Sequence, residues 1–158
     1  MVVALVLMAI DAAVAGSLGP AWQAVRTRAD ASPAWPTLLP GLLYGGLAEE
    51  VMTRWGLMSL VVWAVLRLRQ PQAAAHPQPS VAAAWTGIVV ASVVFAAAHL
   101  PALAQEVALS GPVVARTVAL NLLAGMAYGW LFWRRSLETA MLAHATTHIG
   151  LALGRWIM

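Results

Sequence analysis

Five stretches of this chain are almost free of charge, and the short segments between them hold most of its proline and arginine. The apolar stretches are Val2–Leu18, Leu38–Leu66, Val81–Leu103, Val113–Trp133 and Leu137–Ile157. A helix needs about 20 mainly apolar residues to cross a bilayer, so the last four read as membrane spans. The first is marginal. It is short, carries Asp11 and has no basic residue before it. Ala13-Val14-Ala15 followed by Gly16 has the look of a signal-cleavage site, but a signal peptide begins with positive charge. A weak or shortened span is the expectation. Gly19–Pro36, with three prolines, two arginines and Asp30, reads as a loop. Arg67–Ser80 reads as a second loop and Arg134-Arg135-Ser136 as a tight turn. Leu38–Leu66 is long enough to tilt, or to bend near Gly45-Gly46.

Composition strengthens the membrane reading. The chain has 158 residues, 61% of them hydrophobic and 9% charged, with a mean hydropathy of +0.78. Soluble domains carry about 25% charged residues, so there is too little polar surface here to cover a water-soluble globule. The expected fold is all-α: a polytopic transmembrane bundle of about five spans with an active site inside it. Residues 1–36 form a weak span and loop, and residues 37–158 form the core. Trp35, Trp85, Trp133 and Trp156 fall near span ends, where interfacial aromatic belts lie. Arginines flank both sides almost equally; the Arg134-Arg135 turn is placed in the cytoplasm. The net charge of +3 comes from scattered arginines with no lysine. No basic run could track a phosphate backbone, so no nucleic-acid partner is expected. Cysteine is absent, which removes thiolate chemistry. An Ala- and Arg-rich, Lys-free composition suggests a GC-rich bacterial genome, and together with the apolar spans this gives a bacterial plasma (inner) membrane as the expected location.

Three motifs interrupt the apolar pattern. Ionisable groups at membrane depth are expensive and commonly have a task. In Glu49-Glu50-Val51-Met52-Thr53-Arg54, Glu50 and Arg54 are one helical turn apart in the favoured order, acid before base, and are expected to pair. Glu49, about 100° away around an α-helix, is left without that partner and free to face a cavity. A desolvated carboxylate there suits a general base. Phe95-Ala96-Ala97-Ala98-His99 puts His99 one turn from Phe95, with alanines leaving room for a neighbouring helix. His144-Ala145-Thr146-Thr147-His148 puts two imidazoles on one face, the spacing that lets them share a metal ion or a substrate oxygen. Ala145 stands where a zinc protease HExxH has its glutamate, so any general base comes from elsewhere. Thr146 and Thr147 are expected to back-bond to their helix, and His76 to be solvated in its loop. Gly41-x-x-x-Gly45 and Gly125-x-x-x-Gly129 are spaced for close helix approach.

The order Glu-Glu-x-x-x-Arg, Phe-x-x-x-His, His-x-x-x-(Asn or Asp) on successive membrane helices resembles the CAAX protease and bacteriocin-processing (CPBP, or Abi) family of intramembrane proteases. The resemblance runs from about Pro40 to Gly150 and includes the approach Gly129-Trp130-Leu131-Phe132 to His144. It implies an intramembrane endopeptidase acting on membrane-associated peptides or protein C-termini. By position, Glu49 matches the glutamate that activates water and His99 its partner. Glu50, Arg54 and Phe95 match supporting positions, and His144 matches the oxyanion histidine. His148 stands where the family has Asn or Asp, and a histidine can donate to an oxyanion as well. No cofactor is expected from the resemblance. Glu49, His99, His144 and His148 are nevertheless a good zinc donor set, so a zinc-dependent protease is an alternative. A small transporter relaying protons or metal, and a non-catalytic scaffold or immunity factor, are others.

Overall fold

The computed structural model describes residues 1–33, 35–69 and 79–157, so His76 lies outside the described residues, as do the side chains of Arg69, Trp156 and Ile157. Among the described residues there is no strand. The helices are α1 (Val2–Val14), α2 (Gly19–Asp30), α3 (Trp35–Pro40), two π-wound stretches (Gly41–Glu49 and Val51–Met58), α4 (Ser59–Arg69), α5 (Val81–Ala98), α6 (Leu100–Glu106), α7 (Gly111–Arg134) and α8 (Leu137–Ile157).

The chain is apolar on the outside. Along α5, Ala83, Ala84, Gly87, Ile88, Ala91, Ser92, Phe95 and Ala96 face inward, while Val81, Trp85, Val89, Val90, Val93 and Val94 face outward. An inner face made mostly of small residues, with large apolar ones outside, is the arrangement that lipid favours. Close backbone packing supplies the contacts, and the outer face needs no polar cover. The exposed Trp55, Leu60, Trp63 and Leu68 continue this surface. Among the described residues, two helical runs are long and apolar enough by themselves to cross a bilayer: the composite helix Trp35–Leu68, of 34 residues, and Val81–Glu106, of 26, which joins α5 and α6. The other predicted spans also form helices. At 24 and 21 residues, α7 and α8 have a spanning length, whereas α1 has 13 residues, about 20 Å of helix.

Several local expectations are revised. The segment read as a loop contains α2. Gly19 enters it at φ +82°, a left-handed conformation that favours glycine. Pro20 then sits in the first turn, where its missing N–H costs nothing. Asp11, the flaw in the first span, is paired: Arg116 of α7 reaches its carboxylate at 2.7 Å and lies over the Trp22 ring at 4.4 Å. The predicted span 81–103 breaks at His99. Pro101 follows in the first turn of α6, and the His99 N–H turns to Ala96 O instead of Phe95 O.

The two GxxxG motifs do different work. A Cβ on Gly125 would lie 3.0 Å from Ser92, and one on Gly129 would lie 3.3 Å from Ile88, so these glycines bring α7 against α5. In the first motif a Cβ on Gly41 or Gly45 would instead strike the His148 ring, at 2.6 and 2.5 Å. The backbone of α8 is met by the next residue, Gly46, whose Cβ would lie 2.9–3.3 Å from Ala145.

Candidate active site

The π winding of Gly41–Met58 decides which side chains enter the bundle. Its buried residues are Gly41, Gly45, Gly46, Glu50, Arg54 and Met58. The steps along this seam are four or five residues, more than an α-turn. On a regular α-helix such a seam would wind around the rod. Hydrogen bonding i to i+5 widens the turn and holds the seam on one face, toward α5 and α8. Single π-turns are frequent at functional sites.

Glu50 is the hub. It and Arg54 are both fully buried, and Arg54 Nε donates to Glu50 Oε2 at 3.1 Å, the pairing expected from their spacing. The other carboxylate oxygen, Oε1, accepts from His144 Nδ1 at 2.9 Å, a contact between residues 94 positions apart that the sequence did not indicate. Arg54 Nη1 and Nη2 find no acceptor among the described residues. The guanidinium instead lies over the Phe95 ring, 5.1 Å from its centroid, where the ring's negative face attracts a cation.

His144 is enclosed on all sides. Tyr128 stacks on it at 4.6 Å and 19°, and Phe95 meets it edge-on at 5.8 Å. His148 stacks at 5.0 Å, with the two Nε2 atoms 3.2 Å apart. The Glu50 carboxylate can only accept, so the proton on His144 Nδ1 is fixed there. In the neutral ring Nε2 then carries a lone pair, and His148 Nε2–H donates to it. In the sequence, Tyr128 lies inside Gly125-x-x-x-Gly129 and no chemical motif singles it out. Its signal was its rarity: it is one of two tyrosines in the chain, in an apolar span.

His99 sits at the α5–α6 break. Its Nδ1 is 2.7 Å from Phe95 O, the carbonyl released where the helix breaks. That carbonyl can only accept, so Nδ1 carries the hydrogen and Nε2 of the neutral ring is a free acceptor. The Phe95 and His99 rings meet edge-on at 4.7 Å. Glu49 is half-buried. Its carboxylate has no hydrogen-bond partner among the described residues, although its charge reaches Arg54 and Tyr128. Its carbonyl accepts from Thr53 Oγ1 at 2.5 Å. Thr146 and Thr147 back-bond to Ala143 O at 3.0 and 2.8 Å, as expected. Among the described residues, no set of three or more His, Asp and Glu side chains is grouped to hold a metal ion.

The structure thus gathers Glu50, Arg54, Phe95, His144 and His148 into one connected cluster, with His99 joined through Phe95 and Glu49 next to it in the chain. A fixed imidazole pair, a free imidazole acceptor and an unpartnered carboxylate are the parts needed to activate a water and stabilise an oxyanion. Comparison with curated proteins and with solved structures found no match. Comparison with protein families matched residues 31–150 to the type II CAAX prenyl endopeptidase Rce1-like family, a stretch that contains every residue of this cluster. The chain belongs to that family, whose members are membrane-embedded proteases acting on membrane-associated protein substrates.

Proposed function

We propose that the chain is a multi-pass protein of a bacterial plasma membrane, crossing it with about five helices. It hydrolyses a peptide bond in membrane-associated peptides or protein C-termini. Glu49 takes a proton from a water whose other contact is His99 Nε2. The water oxygen attacks the peptide carbonyl carbon, and the carbonyl electrons move to oxygen. That oxyanion accepts a hydrogen bond at the His144–His148 pair, from the His148 Nε2–H that spans 3.2 Å to His144 Nε2; His144 holds that imidazole in place. The tetrahedral centre then collapses, the C–N bond breaks, and the proton held by Glu49 passes to the leaving amine.

The observation that supports this most is the burial of an ordered Glu–Arg–His–His cluster in a bundle whose outer face is apolar, in a chain of a protease family. A structural ion pair needs Glu50 and Arg54 alone. It does not account for His144 being held in one tautomer, or for a second carboxylate and a third histidine beside it. Incubating the purified protein in bilayers with a library of membrane-anchored peptides, with and without a chelator, tests the reading. Chelator-insensitive cleavage is expected. No cleavage of any member overturns the assignment as a peptidase, and cleavage that stops with chelator and returns with zinc moves the same residues to metal chemistry.

A further inference from the structure

His148 is large for its place. The backbone of Gly41–Glu49 passes so close that a Cβ on Gly41 would lie 2.6 Å from His148 Nδ1 and 2.7 Å from Cγ. A Cβ on Gly45 would lie 2.5 Å from Nε2 and 3.2 Å from Cδ2. The ring fits because both positions, one turn apart, lack that carbon. On its other side it is stacked against His144 at 5.0 Å and 18°. Confined between backbone and ring, His148 directs Nε2 at His144 Nε2. The helix contact does not depend on this pair of glycines, because Gly46 abuts the Ala145 backbone.

We propose that Gly41 and Gly45 are positioning residues: they form a notch that seats the His148 imidazole and sets its Nε2 at the oxyanion site, with Gly45 the position that admits an imidazole in place of a shorter side chain. The part concerning catalysis rests on His148 acting as an oxyanion donor; the part concerning the notch does not.

The atoms make the two glycines separable. Asparagine keeps Cγ and ends about where the histidine has Nδ1 and Cδ2. His148→Asn therefore vacates the place of Nε2, the nearest obstacle to a Cβ on Gly45 at 2.5 Å, and keeps near the Cδ2 place, at 3.2 Å, only a terminal atom that can rotate aside; it also keeps Cγ, which blocks a Cβ on Gly41 at 2.7 Å. Only His148→Ala removes both obstacles. Gly46→Ala meets α8 backbone whatever occupies position 148. In the absence of a clash, Gly→Ala within a helix is neutral or stabilising, so the sign of each effect is informative.

The test measures thermal unfolding and peptide cleavage of the full chain in bilayers, for Gly41→Ala, Gly45→Ala and Gly46→Ala, each alone and combined with His148→Asn or His148→Ala. Gly45→Ala alone should lower cleavage about 10²-fold, the scale of a misplacement near 1 Å, and lower the unfolding temperature. Combined with His148→Asn, it should cost less than about threefold relative to His148→Asn alone, with the unfolding temperature restored, as coupled neighbours behave. Gly41→Ala should stay harmful with His148→Asn and be relieved by His148→Ala. Gly46→Ala should be equally destabilising in all backgrounds. A Gly45→Ala effect on unfolding that is the same with and without His148→Asn overturns the notch, whatever happens to cleavage. Coupled unfolding with uncoupled cleavage overturns the catalytic part, while a chain that cleaves nothing but shows the coupled unfolding supports the notch and sinks the peptidase reading instead.

Discussion

Glu50→Gln is the most demanding perturbation of this structure, because Glu50 satisfies two buried donors with two oxygens. Arg54 Nε takes Oε2 at 3.1 Å and His144 Nδ1 takes Oε1 at 2.9 Å, with both members of the Glu50–Arg54 pair fully buried. Glutamine has one acceptor oxygen, and its amide nitrogen must face either the guanidinium or the imidazole N–H, a donor against a donor. Arg54 meanwhile keeps its charge, with Nη1 and Nη2 already lacking acceptors among the described residues. Removing one partner of a buried ion pair costs about 3–5 kcal/mol. For a chain of this length that corresponds to a fall in unfolding temperature on the order of 10 °C. The assay is thermal unfolding of wild type and variant in the same detergent, followed by helix signal and by retention of soluble protein. Adding Arg54→Met to Glu50→Gln should recover part of the loss, because the unpaired charge is then gone. An unchanged unfolding temperature in Glu50→Gln would refute the role of Glu50 as the electrostatic centre of the bundle. If that stable variant were also inactive, the chemistry would move from Glu49 to Glu50.

Other outcomes follow from the same geometry. His148→Asn should retain substantial cleavage and His148→Ala should lose about 10²-fold or more, the scale of a deleted oxyanion donor; loss of stoichiometric zinc and activity together in His148→Asn, by elemental analysis, would make His148 a metal ligand instead. Gly125→Leu should destabilise the bundle by about 1–3 kcal/mol by overpacking, because Ser92 backbone lies 3.2 Å from its Cβ position. Gly16→Ala, which meets open space, should be neutral in the same unfolding assay. Asp11→Asn should lower stability by about 1 kcal/mol, the scale of an interhelical polar contact in membranes; the exchange Asp11→Arg with Arg116→Asp should restore it if the 2.7 Å pair is what ties α1 to α7.

Much of this was legible in the sequence, for physical reasons that also mark where legibility stopped. The apolar stretches announced helices because burial without hydrogen-bonding solvent leaves few backbone alternatives. The Glu50–Arg54 pair was legible because it is local. The position of the seam was not. Sequence periodicity assumes an α-turn, whereas Gly41, Gly45, Glu50, Arg54 and Met58 repeat at the wider spacing of the π winding. Pro20 counts toward a loop in the sequence pattern although it sits in the first turn of α2, since a proline in a first turn and one in a loop look alike without the following contacts. At His99 the apolar run continues but the helix is interrupted, with Pro101 in the first turn of α6, which hydropathy alone does not register. The links Glu50–His144 and Asp11–Arg116 join residues 94 and 105 positions apart, and nothing in either local segment encodes its partner. Gly41-x-x-x-Gly45 looked like a helix-packing motif; that it receives a side chain is visible only with His148 beside it.

The central claim is that the half-buried Glu49 carboxylate next to this cluster activates water for peptide hydrolysis, and Glu49→Gln tests it most directly. The substitution keeps the size and hydrogen-bonding reach of Glu49, leaves the hydrogen bonds of the Glu50–Arg54–His144 cluster in place, and removes the ability to take a proton. On a peptide that the wild-type protein cleaves in bilayers, the account predicts that Glu49→Gln inserts and unfolds like wild type and cleaves at least about 10²-fold more slowly. Turnover close to wild type would contradict it.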